Sequence, residues 1–151
     1  MEINSQTWTQ LHDHAVSAMR HAYVPYSGYP VGAAGLATDG TIYSGCNVEN
    51  SSYGIGLCAE CGMICDFIKN GGGRLLAVVA VNGNGDAVVP CGRCRQLIFE
   101  HGGQEALVAM PSGIMPMTEV LPDGFGPDDL TQVPTATYKE RTRHSTKRRS
   151  S

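Results

Sequence analysis

No apolar run in this 151-residue chain approaches the roughly 20 residues that a membrane-spanning helix needs, so no membrane partner is expected. The N-terminus shows no charged stretch followed by an apolar one, which leaves the cytoplasm as the expected compartment. Internal repeats are missing too. At this length one domain is expected, large enough to bury a core without disulfide staples. Basic residues are scarce over most of the chain, because Lys139, Arg141, Arg143, Lys147, Arg148 and Arg149 hold six of the eleven. The net charge of −3 therefore divides into +5 for residues 139–151, where Glu140 is the one acid, and −8 for residues 1–138. An acidic body argues against a folded surface built to grip phosphates, so no nucleic-acid partner is expected.

What the chain does have is cysteine, at positions 46, 58, 61, 65, 91 and 94. Clustered cysteines without a leader point to metal or redox chemistry rather than a disulfide framework.

Periodicity outlines the elements. Trp8, Leu11, Ala15, Ala18, Met19 and Ala22 recur at helical spacing and predict a helix over 5–22, capped by Ser5 or Thr7 and ended by Val24-Pro25. His12, Asp13 and His14 lie on its solvated side, since histidines two apart diverge on a helix. Val31–Ala37 and Thr41–Cys46 predict a hairpin around Asp39-Gly40, followed by the loop Asn47-Val48-Glu49-Asn50. A helix is expected from Cys58 to Asn70, burying Ile64, Phe67 and Ile68 and stopped by Gly71-Gly72-Gly73. Leu75–Val81 reads as a strand covered on both faces. Asn82–Asp86 is a turn, Cys91–His101 a helix, Ala106–Met110 a strand, and Ile114–Met117 a segment pairing back antiparallel. One helical turn is expected at Thr118–Leu121. Strands alternating with helices after a hairpin predict an α/β layered domain with a mixed sheet, spanning 1–130 and followed by a polar, basic tail, 131–151.

Chemistry concentrates in Leu57-Cys58-Ala59-Glu60-Cys61 and Val89-Pro90-Cys91-Gly92-Arg93-Cys94. Catalytic zinc sites commonly use three protein ligands and leave a fourth position for water. Cys58, Cys91 and Cys94 each fall at or near a predicted helix start, and Cys91 and Cys94 stand one turn apart. Three thiolates leave a divalent ion with net negative charge, which the partial positive charge of two helix starts would offset. Glu60, two residues beyond Cys58, is placed to move a proton on and off water in the open position. Two other readings fit the same residues: a closed site of Cys58, Cys61, Cys91 and Cys94, or a redox pair. Residues 62–90 separate the two pairs by more than the roughly 15–20 usual in structural zinc modules, which separates these readings only in part.

Five motifs then occur in order: Tyr26-Ser27-x-Tyr29-Pro30-Val31-Gly32-Ala33, Gly45-Cys46-Asn47-Val48-Glu49-Asn50, Cys58-Ala59-Glu60, Pro90-Cys91-Gly92-Arg93-Cys94-Arg95-Gln96 and Leu121-Pro122-Asp123-Gly124-Phe125. Together they cover roughly residues 5–130 and resemble the cytidine deaminase family in its small homotetrameric form with three cysteine ligands. The resemblance implies a three-layer α/β/α domain with a mixed five-stranded sheet and one Zn²⁺ per chain, held by Cys58, Cys91 and Cys94. It implies hydrolytic deamination of cytidine and deoxycytidine in pyrimidine salvage, with Glu60 as the catalytic proton carrier. It also implies that the Ala59 amide holds the 2-oxo group, that Asn47 and Glu49 grip the ribose 3′-hydroxyl, and that Tyr29 faces the base. Phe125 matches an aromatic that family members insert into a neighbouring subunit's site, and Tyr53 lies at an inter-subunit position, although core packing is the simpler role for each aromatic. A related deaminase acting on a cytosine-bearing antibiotic, and a zinc-stabilised interaction module, are the competing readings.

The chain departs from the family at one position. Many tetrameric relatives carry Arg directly after the glutamate, where this chain has Cys61. Cys61 is expected to be a small buried thiol, which leaves charge compensation to the helix starts or Arg93. Cys46 and Cys65 are expected in the core.

Overall fold

The computed structural model describes residues 2–132. The expected tail falls outside the described residues except for Thr131 and Gln132. Strand β3 (Leu75–Val81) lies at the centre of a five-stranded sheet of order β2-β1-β3-β4-β5. Its unbroken apolar sequence suits that place, because both faces of the strand are covered. Strand β1 (Gly32–Ala37) is antiparallel to β3 on one side and to β2 (Ile42–Cys46) on the other, with Ala33 opposite both Ala80 and Gly45. β3 runs parallel to β4 (Leu107–Met110), and β5 (Gly113–Pro116) returns antiparallel along β4. The parallel pair requires a crossover, which helix α3 (Gly92–Gly102) supplies.

Alternation along the strands divides the core in two. Ala34, Leu36, Ala77, Val79 and Val81 face helix α1 (Ser5–Met19) through Leu11 and Ala15. The intervening Ala33, Val78, Ala80 and Val108 face α3 and helix α2 (Ala59–Lys69), meeting Met63, Phe67 and Ile98. Each large side chain buried this way contributes about 1.5–3 kcal/mol. The result is the expected three-layer arrangement around a mixed sheet.

Two glycines let the layers close. A Cβ on Gly32 would stand 2.0 Å from the Ala15 carbonyl oxygen, so α1 rests directly on β1. A Cβ on Gly45 would stand 2.3 Å from the Met63 amide nitrogen and 2.6 Å from the Ala59 oxygen, so the start of α2 rests directly on β2.

The element boundaries differ from expectation in places. Asn4, not Ser5 or Thr7, caps α1: its extended backbone lets the side chain accept the Thr7 amide at 3.0 Å. α1 ends at Met19 because Tyr23 pairs with the loop after β2, donating to Asn47 O at 3.0 Å and accepting from Glu49 N at 2.8 Å. Tertiary pairing thus overrides the helical spacing that continues to Ala22. Helix α2 turns Met63, Ile64 and Phe67 inward. Ile68 is therefore 54% exposed, and Cys65 is exposed rather than in the core, while Cys46 and Cys61 are only half-buried. His12 lies on the solvated face as expected, but its ring nitrogen Nε2 also meets Gly85 O at 2.8 Å. The short turn expected at Thr118–Leu121 appears as α4 (Met117–Val120). A further turn not anticipated, α5 (Pro127–Thr131), starts where Gly126 N donates to Asp129 Oδ2 at 2.7 Å.

Candidate active site

Helices α2 and α3 both begin at a cysteine. Cys58 and Cys91 are the N-cap residues, extended in backbone, and neither side chain caps its own helix. Both thiols are therefore free to point at the gap between the helix starts, where Cys94 arrives from the first turn of α3. Cys91 Sγ lies 3.7 Å from Cys58 Sγ and 3.5 Å from Cys94 Sγ. Zinc–sulfur bonds of about 2.3 Å at tetrahedral angles would put sulfurs about 3.8 Å apart, so the spacing fits one zinc ion. Among the described residues this trio is the one group of three or more His, Cys, Asp or Glu side chains placed to hold a metal, and Cys61 is not part of it.

Glu60 is the one charged residue buried among the described residues, 4% exposed, in the first turn of α2. Its Oε2 accepts from Cys94 Sγ at 3.3 Å. Burial, and then the Glu60 carboxylate, push the Cys94 thiol far up. Burial also raises Cys58. At Cys91 burial opposes ionisation, but hydrogen bonds from Cys94 and from the Arg93 amide lower the thiol. Arg93 Nη2 donates to Cys58 Sγ at 3.8 Å and to Gly56 O at 3.2 Å.

Two of the trio, Cys58 and Cys91, line a cavity of about 550 Å³ together with Tyr29, Asn47, Glu49, Ala59 and Glu60, while Cys94 is buried behind them. Ala59 is the first residue of α2, where the helix itself provides no acceptor for the amide. Asn47 and Glu49 also hold the pocket rim. Asn47 Oδ1 accepts the Val31 amide at 2.8 Å and its Nδ2 donates to Tyr29 O at 3.0 Å. Glu49 Oε1 accepts the Tyr26 and Ser27 amides, both at 3.1 Å. Hydrogen bonding from the side chain and amide of Ser27 and the amide of Tyr26 holds the Glu49 carboxyl below the usual range.

Sequence reasoning gave no cavity role to Asn82, Val88, Val89 or Pro111, which also line the wall. Asn82 follows β3 and Pro111 follows β4, so the cavity sits at the carboxyl ends of the parallel pair. The general preference of ligands for that end of α/β sheets was the available signal.

Tyr53 and Phe125 do not line the main cavity. Tyr53 is 81% exposed and meets Tyr26 edge-on at 5.8 Å, beside a second groove of about 400 Å³. Phe125 is 58% exposed, with its carbonyl accepting from Gln96 Nε2 at 2.7 Å. Core packing is not the role of either within this chain, nor of Tyr29, which is 52% exposed.

The chain is similar to known proteins. Residues 5–110 match the family model described as the cytidine and deoxycytidylate deaminase zinc-binding region. Cytidine deaminase from Mycobacterium tuberculosis strain H37Rv is 52% identical over 123 residues, which is 82% of this chain and 92% of that protein. The enzyme of that name from Sporosarcina psychrophila is 42% identical over 76% of this chain and 88% of its own. The crystal structure of cytidine deaminase from Mycobacterium leprae superposes with a TM-score of 0.76 at 52% identity, covering 77% of this chain and 98% of that one. For the Burkholderia pseudomallei cytidine deaminase the TM-score is 0.70 at 35% identity, covering 78% and 98%. With its three-thiol cluster, its buried glutamate and a family match over most of its length, this chain belongs to the cytidine and deoxycytidylate deaminase zinc-binding family.

Proposed function

We propose that the chain deaminates cytidine and deoxycytidine hydrolytically to uridine and deoxyuridine, with release of ammonia. The observation that carries this is a cluster of three thiols, two of which (Cys58 and Cys91) line a cavity together with a buried carboxylate, Glu60. Zinc held by Cys58, Cys91 and Cys94 supplies a Lewis acid that makes water in the cavity more acidic.

Glu60 does the proton work. It takes a proton from water as oxygen joins carbon 4 of the ring and delivers it to ring nitrogen 3; it then carries the proton of the new carbon-4 hydroxyl to the amino group, so that the carbonyl forms as the carbon–nitrogen bond breaks and ammonia leaves. Its burial lets it exchange protons with substrate rather than with bulk solvent. The Ala59 amide donates to the 2-oxo group. Asn47 and Glu49, already fixed to the rim, present their remaining hydrogen-bonding capacity to the ribose 3′-hydroxyl. Tyr29 covers one face of the base.

The site is completed by a neighbouring copy. Tyr53 and Phe125 expose aromatic surface outside their own chain's cavity, and Ile55 is exposed as well (63%). A homotetramer that shares its active sites buries those rings and closes the cavity. The role assigned is cytoplasmic pyrimidine salvage; separately, none of the described helices is long and apolar enough to cross a membrane.

Glu60→Gln tests the assignment. The variant should keep one zinc per chain while turnover, followed by cytidine absorbance, falls by a factor on the order of 10²–10⁴ or more. Turnover within a few-fold of the parent chain's would refute the role of Glu60.

A further inference from the structure

Among the described residues, Arg93 is the one cationic side chain that hydrogen-bonds a thiol of the cluster. It stands one residue before Cys94 on α3 yet reaches across to the other helix start, touching both Cys58 Sγ and Gly56 O. No carboxylate competes for it: the only ion pair among the described residues joins His12 and Asp13. Other arginines are engaged elsewhere, Arg95 with the Pro90 and Val120 carbonyls and Arg74 with that of Gly102.

Both contacts matter physically. Three thiolates around a divalent ion leave one negative charge, which helix starts offset only through partial charges spread over several amides. A guanidinium adds a full positive charge in contact with one sulfur. Both bonds come from one nitrogen, Nη2, so a single end of the guanidinium bridges the Gly56 carbonyl and the Cys58 sulfur. Gly56 and Leu57 wall the cavity and lead into Cys58, and Leu57 exchanges 2.9 Å backbone bonds with Val48, between Asn47 and Glu49. A bond from α3 to Gly56 therefore ties the ligands on one helix to the segment that delivers Cys58 and half of the cavity wall.

We propose that Arg93 is a positioning residue of the metal site, fixing Gly56–Cys58 against α3 and supplying the positive charge at the Cys58 sulfur. This rests on reading Cys58, Cys91 and Cys94 as the metal ligands.

Cobalt(II) loaded in place of zinc reports on the sulfurs directly, through the absorption in which an electron passes from sulfur to metal. Removing a positive charge beside Cys58 raises the energy of the sulfur electrons and moves this band to longer wavelength. Arg93→Gln should show that shift and bind the metal about 10–100-fold more weakly. Arg93→Lys, which keeps the charge, should keep the band near the parent position. Failure of Arg93→Gln to take up cobalt while Arg93→Lys does so would equally support the proposal. An Arg93→Gln band coinciding with the parent's, or loss of metal from both variants alike, would overturn it. A parent chain with no such band would refute the three-thiol site itself and Arg93's role with it.

Discussion

Cys94 and Glu60 come from the first turns of different helices, yet their side chains meet at 3.3 Å in the interior. The contact joins a proposed metal ligand to the proposed proton carrier, and its geometry depends on how α2 and α3 are seated on the sheet.

Seating of α2 is the first thing to test. Gly45→Ala would place a methyl group against the backbone of Ala59 and Met63, which cannot move aside as a flexible side chain can. The expected loss is about 1–3 kcal/mol, read as a lower midpoint in thermal unfolding. Activity should fall further than stability, because the displaced turn carries Cys58 and Glu60. An unchanged midpoint would mean that β2 and α2 are not this close.

Cys61 distinguishes the three-thiol site from a closed four-cysteine one. Lying outside the cluster, it should be dispensable for metal. Cys61→Ala is expected to keep one zinc per chain by atomic absorption and to retain activity within about threefold. Loss of zinc would bring back the closed site.

Acid should weaken substrate binding through Glu49. Its folded-state carboxyl is held below the ordinary range by hydrogen bonds from Ser27 and Tyr26, so the fold favours the charged form. Its contribution to the rim is therefore complete above the usual carboxylate range and is lost as pH falls through its own lower value. KM for cytidine should rise on that acid side. Glu49→Gln should raise KM at neutral pH by about tenfold or more and remove that rise. A KM profile identical in parent and variant would exclude a role for Glu49 in binding.

The Phe125 segment hangs on Gln96. The bond from its Nε2 to Phe125 O joins α3 to residues 121–126, where Asp123 adopts a positive φ of 52°. Gln96→Ala should loosen that segment and raise KM while metal content stays at one per chain. If Phe125 serves a neighbouring copy, Phe125→Ala should show the same pattern and weaken the assembly in sedimentation. Parental KM in both variants would leave the exposed ring with no part in the site.

Much of this was legible in the chain because its signals are local. The apolar run Leu75–Val81 reads as a covered strand whatever surrounds it, and it is the central one. Helices expected from Cys58 and after Pro90 do begin there. Ile68 and Cys65 show the limit of that reading: apolar or small character does not say which side of a helix faces the sheet, and both are exposed.

By itself, the sequence determined the element order, the class of fold and the set of residues able to hold zinc, since these follow from periodicity and side-chain chemistry over short spans. Only the tertiary structure decided that three of four nearby cysteines converge, that Arg93 on one helix contacts Cys58 on the other, and that Asn82 and Pro111 share a cavity with Asn47. Such contacts join residues tens of positions apart. Their distances are set by how closely the helices approach the sheet, at Gly45 above all, and no local pattern encodes that approach.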